Sequence, residues 1–137
     1  MNVRAVRAAS SGWLMVAIIM GSELLAALRL YRLAASTARF GLRVSHSFSS
    51  TFVFQLAFIE AKMGRLNEAA ELLNELSRRE PNNAPCYFEL GLMHERMGEK
   101  ELSAANFARS FELGTDFGEE FRAALKTKIR ELGQALP

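Results

Sequence analysis

An all-α chain of antiparallel helical hairpins is what the 137 residues encode, and three observations carry that expectation. From Phe52 onward apolar residues recur at helical spacing, with no stretch that alternates as a strand would. The interruptions alternate between a mid-unit glycine (Gly64, Gly98) and a turn at the unit's end (Glu80-Pro81-Asn82-Asn83, then Gly114), the layout of short helices joined in pairs. The chain also repeats itself at an offset of 34: with residues 50–83 set above 84–117, Leu56 falls on Leu90, Ala57 on Gly91, Met63 on Met97, Gly64 on Gly98, Ala69 on Ser103 and Leu73 on Phe107.

Composition narrows the function classes. Half the residues are apolar and 23% are charged, enough to fold around a core. The single Cys excludes an intramolecular disulfide framework and a multi-Cys zinc site, and two His leave no His-rich metal centre. Charge is unevenly spread. Residues 1–59 hold six Arg against Glu23, whereas residues 60–137 hold 11 bases and 14 acids. The arginines are thinly placed around an apolar run, so they read as a targeting or membrane-flanking arm and not as a nucleic-acid footprint.

Taken in order, residues 1–35 read as an apolar helix with basic flanks. Every position from Trp13 to Met20 is apolar, and Leu24, Leu25, Leu28 and Tyr31 continue at helical spacing. The stretch from Trp13 to Tyr31 approaches the roughly 20 residues of a membrane span and has aromatics at both ends. Glu23 opposes insertion, since an acid near the centre of a span costs roughly 2.5–3.5 kcal/mol. Three readings stay open. The run is a membrane anchor, with the arginine count placing the following domain in the cytoplasm; or it packs on the C-terminal domain of a soluble chain; or residues 1–50 are a processed targeting segment. Residues 36–50 are rich in Ser and Thr and read as a linker. Residues 51–137 form the repeat domain. Its last helix, about 117–133, is opened by a capping box at Asp116–Glu119 and carries a stripe of Phe121, Leu125, Ile129 and Leu132.

These residues resemble the tetratricopeptide repeat. Repeat one (about 50–83) carries Leu56, Ala57, Gly64, Asn67-Glu68-Ala69, Leu73 and Pro81; repeat two (about 84–117) carries Tyr87, Leu90, Gly91, Gly98, Ser103, Phe107 and Ser110. The family's late-helix Tyr is replaced by Glu60 and His94, and Gly114-Thr115 stands where a Pro is usual. The resemblance implies stacked hairpins in a short superhelix closed by a solvating helix. Because about three repeats are normally needed for a continuous core, something must cover the exposed end of repeat one: the 13–31 helix, a partner, or a second copy of the chain.

The resemblance also implies a concave groove lined by the first helix of each repeat. Its positions here are Thr51, Phe54 and Phe58 in repeat one and Phe88, Leu92 and Glu95 in repeat two, with Lys62 and Arg96 on the rim. Phe54, Phe58, Phe88 and Leu92 stand at positions some of which hold Lys and Asn in carboxylate-clamping relatives, and no cation replaces them here, so the groove suits an apolar peptide or helix. The alternative is a groove filled by the chain's own arm or cap helix.

No catalytic, metal or cofactor residues are assigned. His94-Glu95 lacks the second His of a zinc-protease helix, Cys86 has no basic neighbour, and His46 lies among serines without a nucleophile motif. The sequence thus predicts a non-catalytic interaction module whose partner is another protein or peptide, or else a structural subunit of an oligomer with its groove permanently occupied.

Overall fold

The computed structural model describes the backbone of residues 3–44 and 49–133, with side chains over 12–44 and 50–133. His46, Ser45 and Ser47 lie outside the described residues. Every described element is a helix: α1 (Val3–Ala27), α2 (Tyr31–Val44), α3 (Ser49–Lys62), α4 (Leu66–Arg79), α5 (Ala84–Met97), α6 (Lys100–Leu113) and α7 (Glu119–Glu131). They form stacked hairpins of the tetratricopeptide type. The chain divides into two compact units, Met1–Gly64 with α1 to α3 and Arg65–Pro137 with α4 to α7.

In the second unit the local chemistry follows the sequence closely. Pro81 follows the end of α4, where the Glu80 N–H donates to Leu76 O. Asn83 then caps α5, its Oδ1 accepting from the Cys86 N–H at 3.0 Å. Gly98 ends α5 in the left-handed region (φ 80°), which a residue without Cβ enters at no steric cost. Gly91 is required for a different reason. A Cβ there would lie 2.6 Å from the Phe107 ring, so α5 and α6 can close only over a glycine. Two buried hydroxyls complete the seam: Ser103 Oγ donates to Gly91 O and Ser110 Oγ to Ala84 O, each at 2.9 Å.

α7 buries Leu125 and Ile129 completely, with Phe121 and Leu132 partly covered, on the expected stripe. Its start differs from expectation. The N-cap is Gly118 and no side chain caps it, so Asp116–Glu119 is not a capping box; Thr115 Oγ1 reaches the Asp116 carboxylate instead.

The first unit holds the larger corrections. Trp13–Tyr31 is not one helix: α1 stops at Ala27, the chain turns through Arg29 at φ 60°, and α2 restarts at Tyr31. Among the described residues no helix is long and apolar enough to cross a membrane. The apolar run is broken by Ser22 and Glu23, and α1 begins with Arg4 and Arg7. Nor are 1–35 a separate arm, or 36–50 a linker. α2 runs through Val44 and buries Ala34, Ala35, Ala38 and Gly41 on a single face, so its Ser and Thr decorate a helix.

α1 and α2 are in fact a third, disguised repeat. Arg29 stands 35 residues before Gly64 and Gly64 stands 34 before Gly98, and all three have positive φ (60°, 82° and 80°). In that register the buried set Ala34, Ala35, Ala38 and Gly41 of α2 matches Ala69, Ala70, Leu73 and Leu76 of α4, then Ser103, Ala104, Phe107 and Ser110 of α6. Ser22 corresponds to Gly91 and Ala34 to Ser103. Ser22 Oγ donates to Ala34 O at 3.2 Å, the same pair of positions bonded in α5 and α6 with donor and acceptor exchanged. Packing volume is redistributed too. α2 is small where α4 and α6 are large, and Phe52 of α3 fills the space, its ring 2.3 Å from where a Gly41 Cβ would be and packed on Met15 and Ile18.

Arg29→Gly tests this directly. Relief of a left-handed non-glycine residue is expected to stabilise the protein by about 0.5–1 kcal/mol in urea unfolding, less the entropy a glycine adds to the unfolded chain.

Candidate peptide-binding slot

The first helices of the repeats carry the groove positions, and each unit treats them differently. In the first unit α3 presents Thr51 at the surface, Phe54 half-buried and Phe58 with 54% of its surface exposed. An exposed phenylalanine is unusual enough to ask what surrounds it. Phe58 and Lys62 form one wall of a slot of about 300 Å³; Ile59 and Gln55 continue that wall, and Ser22, Glu23, Ala26, Ala27 and Tyr31 form the other. The small Ala26 and Ala27 leave space in this lining beside Tyr31.

The slot is apolar at its base and charged at its edges. The Lys62 ammonium lies 5.1 Å from the Phe58 ring centroid, which orients the ring by a cation–π contact. Gln55 ties α3 to α1: its Nε2 donates to Glu23 Oε1 at 3.3 Å and, more weakly, to Ile19 O at 3.5 Å. Behind the slot, buried Glu60 is held by an ion pair with Arg39 of α2. The Glu60 carboxylate therefore ties α3 to α2.

In the second unit the corresponding side chains already have company. Phe88 packs on Phe107 (ring centroids 5.7 Å apart) and on Phe121 of α7 (5.1 Å), and Leu92 joins the same cluster with Leu125 and Ile129. Glu95 accepts two hydrogen bonds from Lys128 of α7, at 2.8 and 3.0 Å, and that contact raises the lysine pKa above its ordinary value. Arg96 is exposed. Of the eight residues picked from the sequence, Phe58 and Lys62 line the slot, Phe88, Leu92 and Glu95 lie against α7, and Thr51, Phe54 and Arg96 belong to neither group. Sequence reasoning missed Glu23, Ala26, Ala27, Tyr31 and Gln55, because no repeat had been recognised before residue 50.

His94 Nδ1 lies 2.6 Å from Glu99 Oε2. Among the described residues no three His, Cys, Asp or Glu are placed to hold a metal. Cys86 is fully buried, its Sγ donating to Leu73 O at 3.1 Å, and burial pushes its thiol pKa up to about 12, with Glu80 and Glu89 adding to the shift. Alkylation of the native protein by iodoacetamide at pH 8 is expected to be at least a hundredfold slower than in denaturant. Because the folded pKa lies above the ordinary value of 9, the thiol's contribution to stability is complete below pH 9 and is lost between there and about pH 12. Native and denatured alkylation rates within tenfold of each other would place Cys86 at the surface.

No family model matches the sequence, and no curated protein matches it. Solved structures share the fold. The type III secretion translocator chaperone SycD of Yersinia enterocolitica superposes with a TM-score of 0.81 at 14% identity, covering 96% of this chain and 98% of that one. PcrH in complex with the chaperone binding region of PopD gives 0.74 at 11% identity, over 85% and 88% of the two chains. The Sgt2 TPR domain from Aspergillus fumigatus gives 0.72 at 16% identity, over 87% and 79%.

Proposed function

We propose that this chain is a non-catalytic protein-binding module that holds an apolar segment of a partner polypeptide, one side chain of which enters the α1–α3 slot. The observation that carries the reading is the open space beside exposed Phe58, walled by small residues of α1 and edged by Glu23 and Lys62. It draws support from neighbours of like fold, one of them SycD in complex with a peptide of the translocator YopD. An extended segment with a Leu, Val or Met fits this slot better than a charged tail, because the Ser22 hydroxyl already donates to Ala34 O and the Lys62 ammonium already lies over the Phe58 ring. The second unit contributes scaffolding in this reading, since α7 already lies on Phe88, Leu92 and Glu95.

The test uses a random dodecapeptide display library panned on the full chain, followed by fluorescence anisotropy with the recovered peptide. Recovered sequences are expected to share one apolar residue. Phe58→Ala is expected to weaken binding roughly ten- to thirtyfold. Ala27→Phe, a change at an exposed position that fills the slot, should abolish it while leaving the melting temperature unchanged. Peptides that bind both variants as tightly as the parent would show that the slot is not the site.

A further inference from the structure

α2 departs from the repeat pattern on the side it turns to solvent. In the shared register Leu33, Phe40 and Val44 stand where α4 carries Glu68, Glu75 and Arg79, which are exposed and charged. A helix packed on a core by one face ordinarily keeps charge on the other. α2 instead leaves 57% of Leu33, 50% of Phe40 and 44% of Val44 in solvent, and the turn before it exposes Leu28 and Leu30. Leu33, Thr37, Phe40 and Val44 follow one another at steps of four, three and four, so they make one stripe along the helix. Thr37 does not break the stripe, because its hydroxyl donates to Leu33 O at 3.0 Å and is satisfied within the helix.

Beside the stripe runs a row of arginines. Each exposed large apolar residue from Leu28 to Val44 has an exposed arginine next to it in the chain: Leu28-Arg29-Leu30, Arg32-Leu33, Arg39-Phe40 and Arg43-Val44. Arg32, Arg39 and Arg43 repeat the spacing of Leu33, Phe40 and Val44 one residue earlier, so the two rows lie side by side. Glu60 holds Arg39, whereas among the described residues no acid pairs with Arg29, Arg32 or Arg43. No acid occurs between Glu23 and Glu60. In the second unit surface arginines are answered on their own helices, Arg78 and Arg79 by Glu75 and Arg109 by Glu112.

We propose that this face of α2, with the turn before it, docks on the surface of an anionic lipid bilayer. The apolar stripe enters at the boundary between headgroups and acyl chains, and Arg29, Arg32 and Arg43 lie on the headgroup anions. Charge complementarity selects the occupant. An anionic bilayer carries negative groups in a plane directly above apolar chains, so an apolar row and a basic row side by side along about 20 Å of helix meet both at once. The long arginine stems let each guanidinium reach a headgroup while the neighbouring leucine or phenylalanine sits deeper. A partner helix laid on the stripe needs acids in register with Arg32 and Arg43; headgroups need no register. The contact is with a surface and is not a span, since no described helix is long and apolar enough to cross. The face is also separate from the slot, to which α2 contributes Tyr31 alone.

Co-sedimentation of the full chain with vesicles tests the proposal, using phosphatidylcholine alone and phosphatidylcholine with about 30 mol% phosphatidylserine. Binding to the anionic vesicles at least tenfold tighter than to the neutral ones is expected, and it should fall steeply near 1 M salt, where the screening length is about 3 Å. Arg32→Gln/Arg43→Gln, both changes at exposed positions, is expected to weaken it about thirtyfold, from roughly 1 kcal/mol for each arginine at such a surface. Leu33→Gln/Phe40→Gln is expected to weaken it roughly tenfold, with helical content checked by far-UV circular dichroism. Failure to bind anionic vesicles, or equal binding to both kinds, overturns the proposal and leaves the face to a protein. Binding that survives the arginine pair of changes overturns it as well, because the contact then lies elsewhere on the chain. Phe58→Ala is expected to bind vesicles as the parent does, so failure of the slot reading and failure of this one are distinguishable.

Discussion

Phe107→Ala is expected to lower the unfolding free energy by about 3–5 kcal/mol, measured by urea denaturation. The ring is fully buried, lies flush against Gly91, touches Phe88 and supports Leu125 and Ile129 of α7. Truncation removes the transfer energy of a whole aromatic side chain. It also leaves a cavity with α7 on one side and α5 on the other, and neither can collapse into it without losing its own contacts. Gly91→Ala alone is expected to cost about 1–3 kcal/mol by overpacking, because its methyl would sit 2.6 Å from that ring. In the Phe107→Ala background the same methyl projects into the cavity, so the double variant should be more stable than the sum of the single losses. Additive losses would mean that the two residues do not share a cavity.

Arg39→Ala is expected to cost about 3 kcal/mol, toward the low end of what breaking a buried pair costs. Its partner Glu60 is only 2% exposed, whereas the Arg39 side chain keeps 47% of its surface in solvent. That asymmetry sets the direction. Removing the arginine takes one charged partner from a desolvated carboxylate, while removing the carboxylate releases a half-exposed guanidinium to water. Glu60→Gln should therefore cost less than Arg39→Ala, and the double variant less than the two together. Equal single losses would show that Glu60 is stabilised by its other contacts and not mainly by Arg39.

Legibility followed the side chains that carry backbone information. In α5 and α6 the pairing could be read from Gly91, Gly98 and Phe107, because a close approach, a left-handed turn and a gap-filling aromatic each demand a residue type that stands out in a sequence. α1 and α2 make the same hairpin with none of those residues. Arg29 takes the left-handed position, Ala38 stands where Leu73 and Phe107 stand, and the missing volume arrives from Phe52 on the next helix. A comparison of residues 15–48 with 50–83 at an offset of 35 was the available signal, and the run of apolar residues from Trp13 obscured it by resembling a membrane span. The slot suffered in consequence: Phe58 and Lys62 were identifiable from repeat register, while Glu23, Ala26, Ala27 and Tyr31 belonged to a stretch with no register assigned.

By itself the sequence determined the helical class, the 34-residue unit and the positions of α4 to α7, since periodicity, left-handed glycines and proline stops act over a few residues along the chain. Only the tertiary structure decided that residues 3–44 form a hairpin, that α7 engages Phe88 and Glu95, and that Phe58 opens onto Ala26 and Ala27. Each of those depends on which surfaces meet across 12 to 36 residues of chain. Steric volume and buried charge settle such meetings collectively: a methyl absent at Gly41 is supplied by a ring at Phe52, and a carboxylate at Glu60 is answered by an arginine at 39.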